Sequence, residues 1–203
     1  FRENLKQLDH FYLPLCDKLF ETYKAKGSPL LLGLSGGQGS GKSTISQILK
    51  IILNYKFNLK VVCLSIDDFY KTSYERKKMA KLIHPLFSTR GVPGTHDCKM
   101  LLNTIKTLLK KRFNFIKIPK FDKSRDNRLN KKYWKKIKIK PNIIIFEGWC
   151  VGAKHQTYKE LKKPINILEK KEDTKLTWRK KVNNELKTSY KKIYNLLDRK
   201  VYL

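Results

Sequence analysis

The stretch that most constrains this chain joins an apolar run to a glycine-rich loop. Leu30 to Leu34 has the length and composition of a buried strand. The loop that follows fits G-x-x-x-x-G-K-[ST] at every fixed position, and apolar residues recur at helical spacing from Ile45 to Ile52. A strand, a glycine loop and a helix therefore come in the order that a phosphate-binding site needs.

The loop predicts a nucleotide site because glycines let backbone N–H groups turn inward around a polyphosphate, and the helix N-terminus adds its positive dipole end. Lys42 is expected to reach the β- and γ-phosphates of ATP, and the Ser43 hydroxyl to hold Mg²⁺. The predicted nucleotide-binding residues are Gly36, Gly37, Gln38, Gly39, Ser40, Gly41, Lys42, Ser43 and Thr44.

Two further apolar runs end in acidic residues. Val61 to Ile66 is followed by Asp67 and Asp68, and the run that starts at Asn142 ends at Glu147. In open parallel sheets, ligands lie outside the carboxyl ends of the strands, so these carboxylates should face the phosphates. A carboxylate at the position of Glu147 can orient Mg²⁺ or its waters.

The rest of the chain divides at residue 27. Residues 1–27 carry apolar side chains at helical spacing, interrupted near Pro14, and are expected to pack outside the sheet. Residues 28–203 are expected to form one domain. A loop rich in glycine and proline runs from Arg90 to Asp97, and Asp97 is placed to cap the next helix. From composition alone, Arg90 is either an anion-binding residue or a surface charge.

Residues 113–121 suggest a strand or hairpin arm, and residues 135–140 a short edge strand or an extended linker. Residues 178–197 carry apolar side chains at helical spacing and lead into a fourth strand, Lys200 to Leu203.

The charge balance is unusual, with 46 Lys and Arg against 17 Asp and Glu in 203 residues and a net charge of +29. Only eight of the basic residues are Arg, and the lysines are spread over nearly every predicted element. This pattern favours a coding bias over specific nucleic-acid recognition, although non-specific binding to RNA at low salt is expected.

The composition also predicts a reduced, cytoplasmic protein. The four cysteines are scattered without a C-x-x-C pair, no apolar stretch reaches the length of a membrane span, and the first residues lack a signal-peptide layout. A membrane partner is therefore not expected. The oligomeric state stays open. The cysteines are Cys16, Cys63, Cys98 and Cys150.

Together these motifs resemble the P-loop superfamily of uridine kinase, phosphoribulokinase and pantothenate kinase, and in particular D-glycerate 3-kinase and its bacterial relatives. The resemblance covers roughly residues 28–203. A segment at Pro164 to Glu169, with Trp178-Arg179, is similar to the bacterial branch. The motifs that carry the resemblance are Ser65-Ile66-Asp67-Asp68-Phe69-Tyr70, Arg90-Gly91-x-x-Gly94-Thr95-His96-Asp97, Pro119-Lys120-Phe121-Asp122-Lys123-Ser124 and Phe146-Glu147-Gly148-Trp149.

The resemblance implies a role for each matching residue. Asp67 corresponds to the general base, with Lys42 and Glu147 as the other catalytic residues, and the metal would lie near Ser43, Asp67 and Glu147. Whether Asp67 or Asp68 is the base stays open, as does the question of which substrate-side residues touch the acceptor. Those substrate-side residues are Arg90, His96, Asp97, Lys123, Arg128 and Trp149.

The implied fold is a three-layer αβα P-loop NTPase with a parallel sheet in the order 2-3-1-4. The implied activity is ATP-dependent phosphorylation of a hydroxyl of a small organic acid, with D-glycerate the first candidate. A nucleoside or pantothenate is an alternative acceptor, and a non-catalytic nucleotide-binding or RNA-associated protein is an alternative function. The family continues past the fourth strand into an arginine-bearing lid helix and a fifth strand, which are expected to be absent from this chain.

Overall fold

A computed structural model describes residues 6–203, and its core is a four-stranded parallel sheet. Four shorter strands form two separate antiparallel pairs. The bounds are β1 Leu30–Ser35, β2 Val61–Ser65, β3 Ile116–Ile118, β4 Phe121–Asp122, β5 Asn127–Arg128, β6 Lys135–Ile137, β7 Ile143–Gly148 and β8 Arg199–Tyr202.

The core sheet has the order β2-β7-β1-β8, which confirms the predicted order of second, third, first and fourth strand. In the central pair, Leu30 lies opposite Ile143 and Ser35 opposite Gly148. Every residue of β1 and β7 is buried. Burial on both faces is why these strands appear in the sequence as continuous apolar runs without alternation.

Helices cover both faces of the sheet, so the three-layer αβα fold is confirmed. On one face, the helices at residues 13–26 and 42–57 pack on Leu30, Leu32 and Ile143. On the other face, the helices at residues 98–109 and 191–194 pack on Leu31, Ile144 and neighbouring residues. The helices are α1 Leu13–Lys26, α2 Lys42–Phe57, α3 Ser73–Leu82, α4 Cys98–Leu109, α5 Tyr158–Lys162, α6 Ile167–Glu172, α7 Thr177–Glu185 and α8 Lys191–Tyr194.

The predicted helical segment of residues 1–27 is seen from residue 6 onward, and residues 1–5 lie outside the described residues. A π-helical turn, Leu8–Tyr12, leads directly into α1, with Pro14 in the first turn of that helix. Pro14 has no N–H to continue the hydrogen-bond ladder, so the expected interruption is a widened turn in place of a break. The Nζ of Lys26 lies 2.6 Å from the Asp198 carboxylate, which joins α1 to the start of β8.

The chain between α4 and β7 forms two small antiparallel hairpins. The strands β3 and β6 pair with each other, which places the predicted arm at 113–121 against the predicted edge strand at 135–140. The strands β4 and β5 pair and leave residues 123–126 as the connecting turn. These hairpins matter because the second one reaches the carboxyl edge of the sheet, where the predicted site lies.

Two of the composition-based predictions concern features of the whole chain. All four cysteines are free thiols, as expected for a reduced protein. Within residues 6–203, every helix is too short or too polar to span a membrane.

Candidate active site

The phosphate loop lies between β1 and α2, at the centre of the carboxyl edge of the sheet. Gly39 and Gly41 both have φ of +78°, a left-handed conformation that other residues rarely adopt. Gly41 is also the N-cap of α2, so the N-terminus of this helix faces the loop. The loop therefore depends on glycine at these two positions for its shape.

Lys42 lies across this loop. Its Nζ donates to the backbone carbonyl of Gly37 and lies 3.5 Å from the Ser40 hydroxyl. The ammonium group is thus held over the backbone that would surround a polyphosphate, and a bound anion would replace the carbonyl as its partner.

Ser43 and Glu147 meet beside the loop, because β1 and β7 are neighbours in the sheet. The Ser43 hydroxyl donates to Oε1 of Glu147 at 3.2 Å, and the Glu147 residue is only 6% exposed. A hydroxyl and a carboxylate are the hard oxygen ligands that Mg²⁺ prefers. Residues 6–203 contain no group of three metal-ligating side chains, so a cation here would need phosphate or water oxygens as well.

Asp67 and Asp68 follow β2 in a short 3₁₀ turn, Ile66–Phe69. The Asp68 carboxylate accepts from the backbone N–H of Phe121 at 3.2 Å, so it is bound to the β4–β5 hairpin. The Asp67 carboxylate lies 2.8 Å from Nζ of Lys123, whose side chain is 64% exposed, and the Asp67 side chain is 30% exposed against 20% for Asp68. Asp67 is therefore the carboxylate that a substrate could more easily engage.

Three of the predicted acceptor-side residues, Arg90, Lys123 and Trp149, line the same cleft as the phosphate loop. The Arg90 guanidinium forms an ion pair with Asp126. The Trp149 indole N–H donates to the carbonyl of Gly91 at 3.1 Å, while its ring remains partly exposed.

The other three predicted acceptor-side residues lie behind the wall of the cleft and do not line it. The His96 ring stacks on Tyr70 with 4.2 Å between ring centroids, and its Nδ1 lies 2.6 Å from the Tyr190 hydroxyl. Asp97 caps α4 by accepting from the backbone N–H of Met100, and Arg128 donates to the Tyr70 carbonyl at 2.7 and 3.1 Å. His96 and Arg128 thus contact Tyr70, which does line the cleft, and Asp97 lies 3.6 Å from Nη1 of Arg128.

Burial determines the charge states behind this wall. His96 is 1% exposed, and desolvation lowers its pKa to about 3, so the imidazole is neutral at physiological pH. The pKa of Tyr70 is raised, first by burial and then by the neighbouring Asp67 carboxylate. Tyr70 and His96 are therefore both neutral behind the acidic Asp67.

The cleft has a volume of about 1060 Å³ and unites the phosphate loop, the two aspartates, Glu147 and Arg90. The sequence did not identify Asp126, which also lines the cleft, or the buried Arg76 that contacts it. Asp126 lies in a polar loop with no recognisable motif, and its partners are 36 and 50 residues away along the chain. Its φ of +49° is unusual for a residue other than glycine, but it is visible only in three dimensions.

Comparisons with known proteins agree with this geometry, although no family model matches the sequence. The chain is 42% identical over 136 residues to an uncharacterized kinase of Schizosaccharomyces pombe, mug58, covering 64% of the chain and 49% of that protein. It is 31% identical over 168 residues to the chloroplastic D-glycerate 3-kinase of Arabidopsis thaliana, covering 73% of the chain and 36% of that protein. The chain thus spans half or less of these relatives.

Among solved structures, D-glycerate 3-kinase from Cryptococcus neoformans superposes with a TM-score of 0.75 at 21% identity, covering 95% of this chain and 72% of that one. At this identity the superposition supports the fold alone. The sequence matches, which include bacterial uridine and pantothenate kinases, confirm the predicted resemblance. By sequence, this chain is a relative of D-glycerate 3-kinase and of other P-loop kinases.

Proposed function

We propose that this chain forms the core of an ATP-dependent kinase that phosphorylates a hydroxyl of a small organic acid, with D-glycerate as the first candidate. The observation that carries the proposal is a single cleft that joins a phosphate loop, an available carboxylate at Asp67 and a cation at Arg90. The relatives that are named as kinases, one of them for D-glycerate, support the same reaction class.

On the nucleotide side, the backbone N–H groups of the loop and the Lys42 ammonium bind the phosphates of ATP. Ser43 and Glu147 would hold Mg²⁺, which supplies positive charge against the polyphosphate when it is bound. Their 3.2 Å contact keeps both oxygen ligands at the end of the loop.

On the acceptor side, Asp67 accepts the proton of the attacking hydroxyl as general base. The hydroxyl oxygen forms the new bond to the γ-phosphorus, the bond to the bridging oxygen breaks, and ADP leaves. The Nζ of Lys123 lies 2.8 Å from the Asp67 carboxylate, on the side where the acceptor would bind. Asp68 is less suited to this role because the Phe121 backbone already donates to it.

The proposal that the acceptor is an acid depends on Arg90. A guanidinium binds a carboxylate through paired, charge-assisted hydrogen bonds. D-Glycerate and pantothenate both carry a carboxylate, whereas a nucleoside does not, so Arg90 favours the first two over the third.

The test is ADP release by the protein with D-glycerate, pantothenate, nucleosides and no acceptor. We expect D-glycerate to be the best of these. Arg90→Ala should raise the KM for the acid by roughly ten- to a hundred-fold, the scale of a hydrogen bond to a charged group, and leave the KM for ATP unchanged. Arg125→Ala is the matched control, because its side chain is 80% exposed.

Preference for a nucleoside with no effect of Arg90→Ala would contradict an acidic acceptor. ADP release that no acceptor stimulates would contradict kinase activity.

The net charge of +29 favours a second candidate, RNA association. Binding measured at increasing salt concentration distinguishes the two functions. The affinity for RNA should fall steeply with ionic strength, because it arises from the release of counterions. The affinity for Mg·ATP at the phosphate loop should persist at high salt. RNA binding that survives high salt, together with absent ATP binding, would favour the second candidate.

A further inference from the structure

Arg90 is held in place by a group that the proposed reaction does not use. Within residues 6–203, the hydrogen bonds and ion pairs of its side chain involve one partner, the Asp126 carboxylate, which Nη1 contacts. A guanidinium has five N–H donors, so this pairing leaves the rest of them available to the cleft. Asp126 therefore restrains Arg90 without saturating it.

Asp126 is itself anchored from behind by Arg76, which is completely buried. Nη2 of Arg76 donates to the Asp126 carboxylate and, at 2.9 Å, to the Asp126 backbone carbonyl. Nε and Nη1 donate to the carbonyls of Ser88 and Lys71, each at 3.3 Å. Because every nitrogen of Arg76 has a partner, this residue cannot turn toward a substrate.

Phe121 contacts both guanidiniums. The Cζ atoms of Arg76 and Arg90 lie 5.7 and 5.6 Å from the centroid of its ring, and Phe121 is 5% exposed. Arginine favours such contacts with aromatic faces, so the ring supports both guanidiniums at the wall of the cleft. The Asp126 carboxylate adds a directional polar contact that restrains Arg90 beside this ring.

We propose that Asp126, anchored by Arg76, is a positioning residue that orients the Arg90 guanidinium over Phe121 before the acceptor binds. The proposal rests on the proposed function, in which Arg90 binds the carboxylate of the acceptor. A side chain that is already ordered loses less conformational entropy on binding, so the affinity for the acid depends on Asp126 although Asp126 does not touch it.

The first test is a double-mutant cycle on the KM for D-glycerate. Asp126→Asn keeps the shape and the left-handed backbone but removes the charge. It should raise this KM by roughly ten-fold while the KM for ATP changes by less than about two-fold. In an Arg90→Ala background the same change should have no further effect. Asp122→Asn, in the same hairpin, is the matched control.

An equal rise of the KM in the Arg90→Ala background would overturn the proposal, because Asp126 would then act independently of Arg90. A fall of the KM in Asp126→Asn would also overturn it, since Asp126 would then compete with the acceptor.

Removing the Asp126 charge leaves the buried Arg76 without its counterion, which could prevent folding. The double variant Arg76→Met/Asp126→Asn removes both charges and retains an apolar side chain of similar length. It should show the same rise in the KM for the acid. A wild-type KM in this variant would overturn the proposal.

A readout that needs no turnover separates this inference from the proposed function. In ¹⁵N-arginine-labelled protein, the Nε–H resonance of Arg90, assigned by its loss in Arg90→Ala, should be displaced by the Phe121 ring. In Asp126→Asn it should move to the position of a free arginine. If no acid is phosphorylated, the proposed function fails while this measurement still decides the inference, and an unmoved resonance would overturn it.

Discussion

The two sides of the cleft are built differently. The phosphate loop is one continuous stretch, from β1 through the glycines to α2, and Lys42 contacts the backbone of Gly37 within it. Of the residues proposed for the nucleotide side, Glu147 alone comes from a distant strand. The acceptor side is assembled from loops far apart in sequence, joined by ion pairs such as Arg90–Asp126 and Lys123–Asp67. The phosphate loop is therefore formed by residues close together in sequence, whereas the acceptor side forms only when distant loops come together in the fold.

The difference has a consequence for how each side can vary. A site made of backbone N–H groups and one lysine binds any polyphosphate in much the same way. A site made of side-chain pairs changes its preference when one partner changes. We expect nucleotide binding to tolerate changes on the acceptor side, and acceptor recognition to be sensitive to them.

The largest expected effect is at the point where the two sides meet. Asp67→Asn should lower kcat by about two to four orders of magnitude, the scale for loss of a general base, with ATP affinity nearly intact. Asp68→Asn is the matched control and should have a much smaller effect. The measurement is steady-state ADP release together with ATP binding by calorimetry. If the Asp68 variant loses the activity and the Asp67 variant keeps it, the assignment is reversed.

A second change, Gly148→Ala, would disturb the packing next to Asp67. A Cβ added at Gly148 would lie 2.4 Å from Cγ2 of Ile66, the residue before Asp67. Gly148→Ala should lower the free energy of unfolding by about 1–3 kcal/mol, the usual cost of overpacking, and lower kcat as well. Denaturant unfolding is the measurement. Gly37→Ala is the control for stability, because its added Cβ would meet nothing within 4 Å. Equal stability of the two variants would contradict the close approach.

A third change concerns the neutral histidine behind the acceptor wall. His96 has a pKa of about 3 when folded and about 6.5 when unfolded, so between these values the unfolded chain binds more protons. Stability from this residue is complete above pH 6.5 and is lost as the pH falls, by about 1.4 kcal/mol per pH unit.

The free energy of unfolding, measured from pH 7 to pH 4, should fall less steeply in His96→Phe than in the wild type. His155→Phe is the control for replacing a histidine by phenylalanine, because His155 is exposed. Parallel slopes for the wild type and His96→Phe would show that His96 is not neutral in the folded protein.

The comparison also explains how far the sequence could predict the structure. The strand order was implied by the resemblance to P-loop kinases, and the structure confirms it. The meeting of Ser43 with Glu147 follows from apolar runs that end in polar residues, because parallel strands share one carboxyl edge. The motifs also placed Arg90, Lys123 and Trp149 on the acceptor side, and the structure brings them into the cleft.

The remaining features depend on burial and on distant contacts. Nothing local marks His96 as a buried support of Tyr70, and only the stacking with Tyr70 and the contact with Tyr190 show this. Asp126 and Arg76 are ordinary polar residues in sequence, yet they meet across 50 residues at the cleft wall. Such pairs could not be identified without the fold, because an ion pair between residues far apart in the chain leaves no repeating pattern in the sequence.

The most direct test of the account is the affinity of the protein for Mg·ATP, measured by calorimetry in Lys42→Ala and Arg90→Ala side by side. If ATP binds on the phosphate side and the acceptor on the other side of the cleft, Lys42→Ala should weaken ATP binding by at least about ten-fold, since a charge-assisted contact to the phosphates is lost. Arg90→Ala should leave it within about two-fold of the wild type. Unchanged affinity in Lys42→Ala, or an equal loss in both variants, would contradict the account.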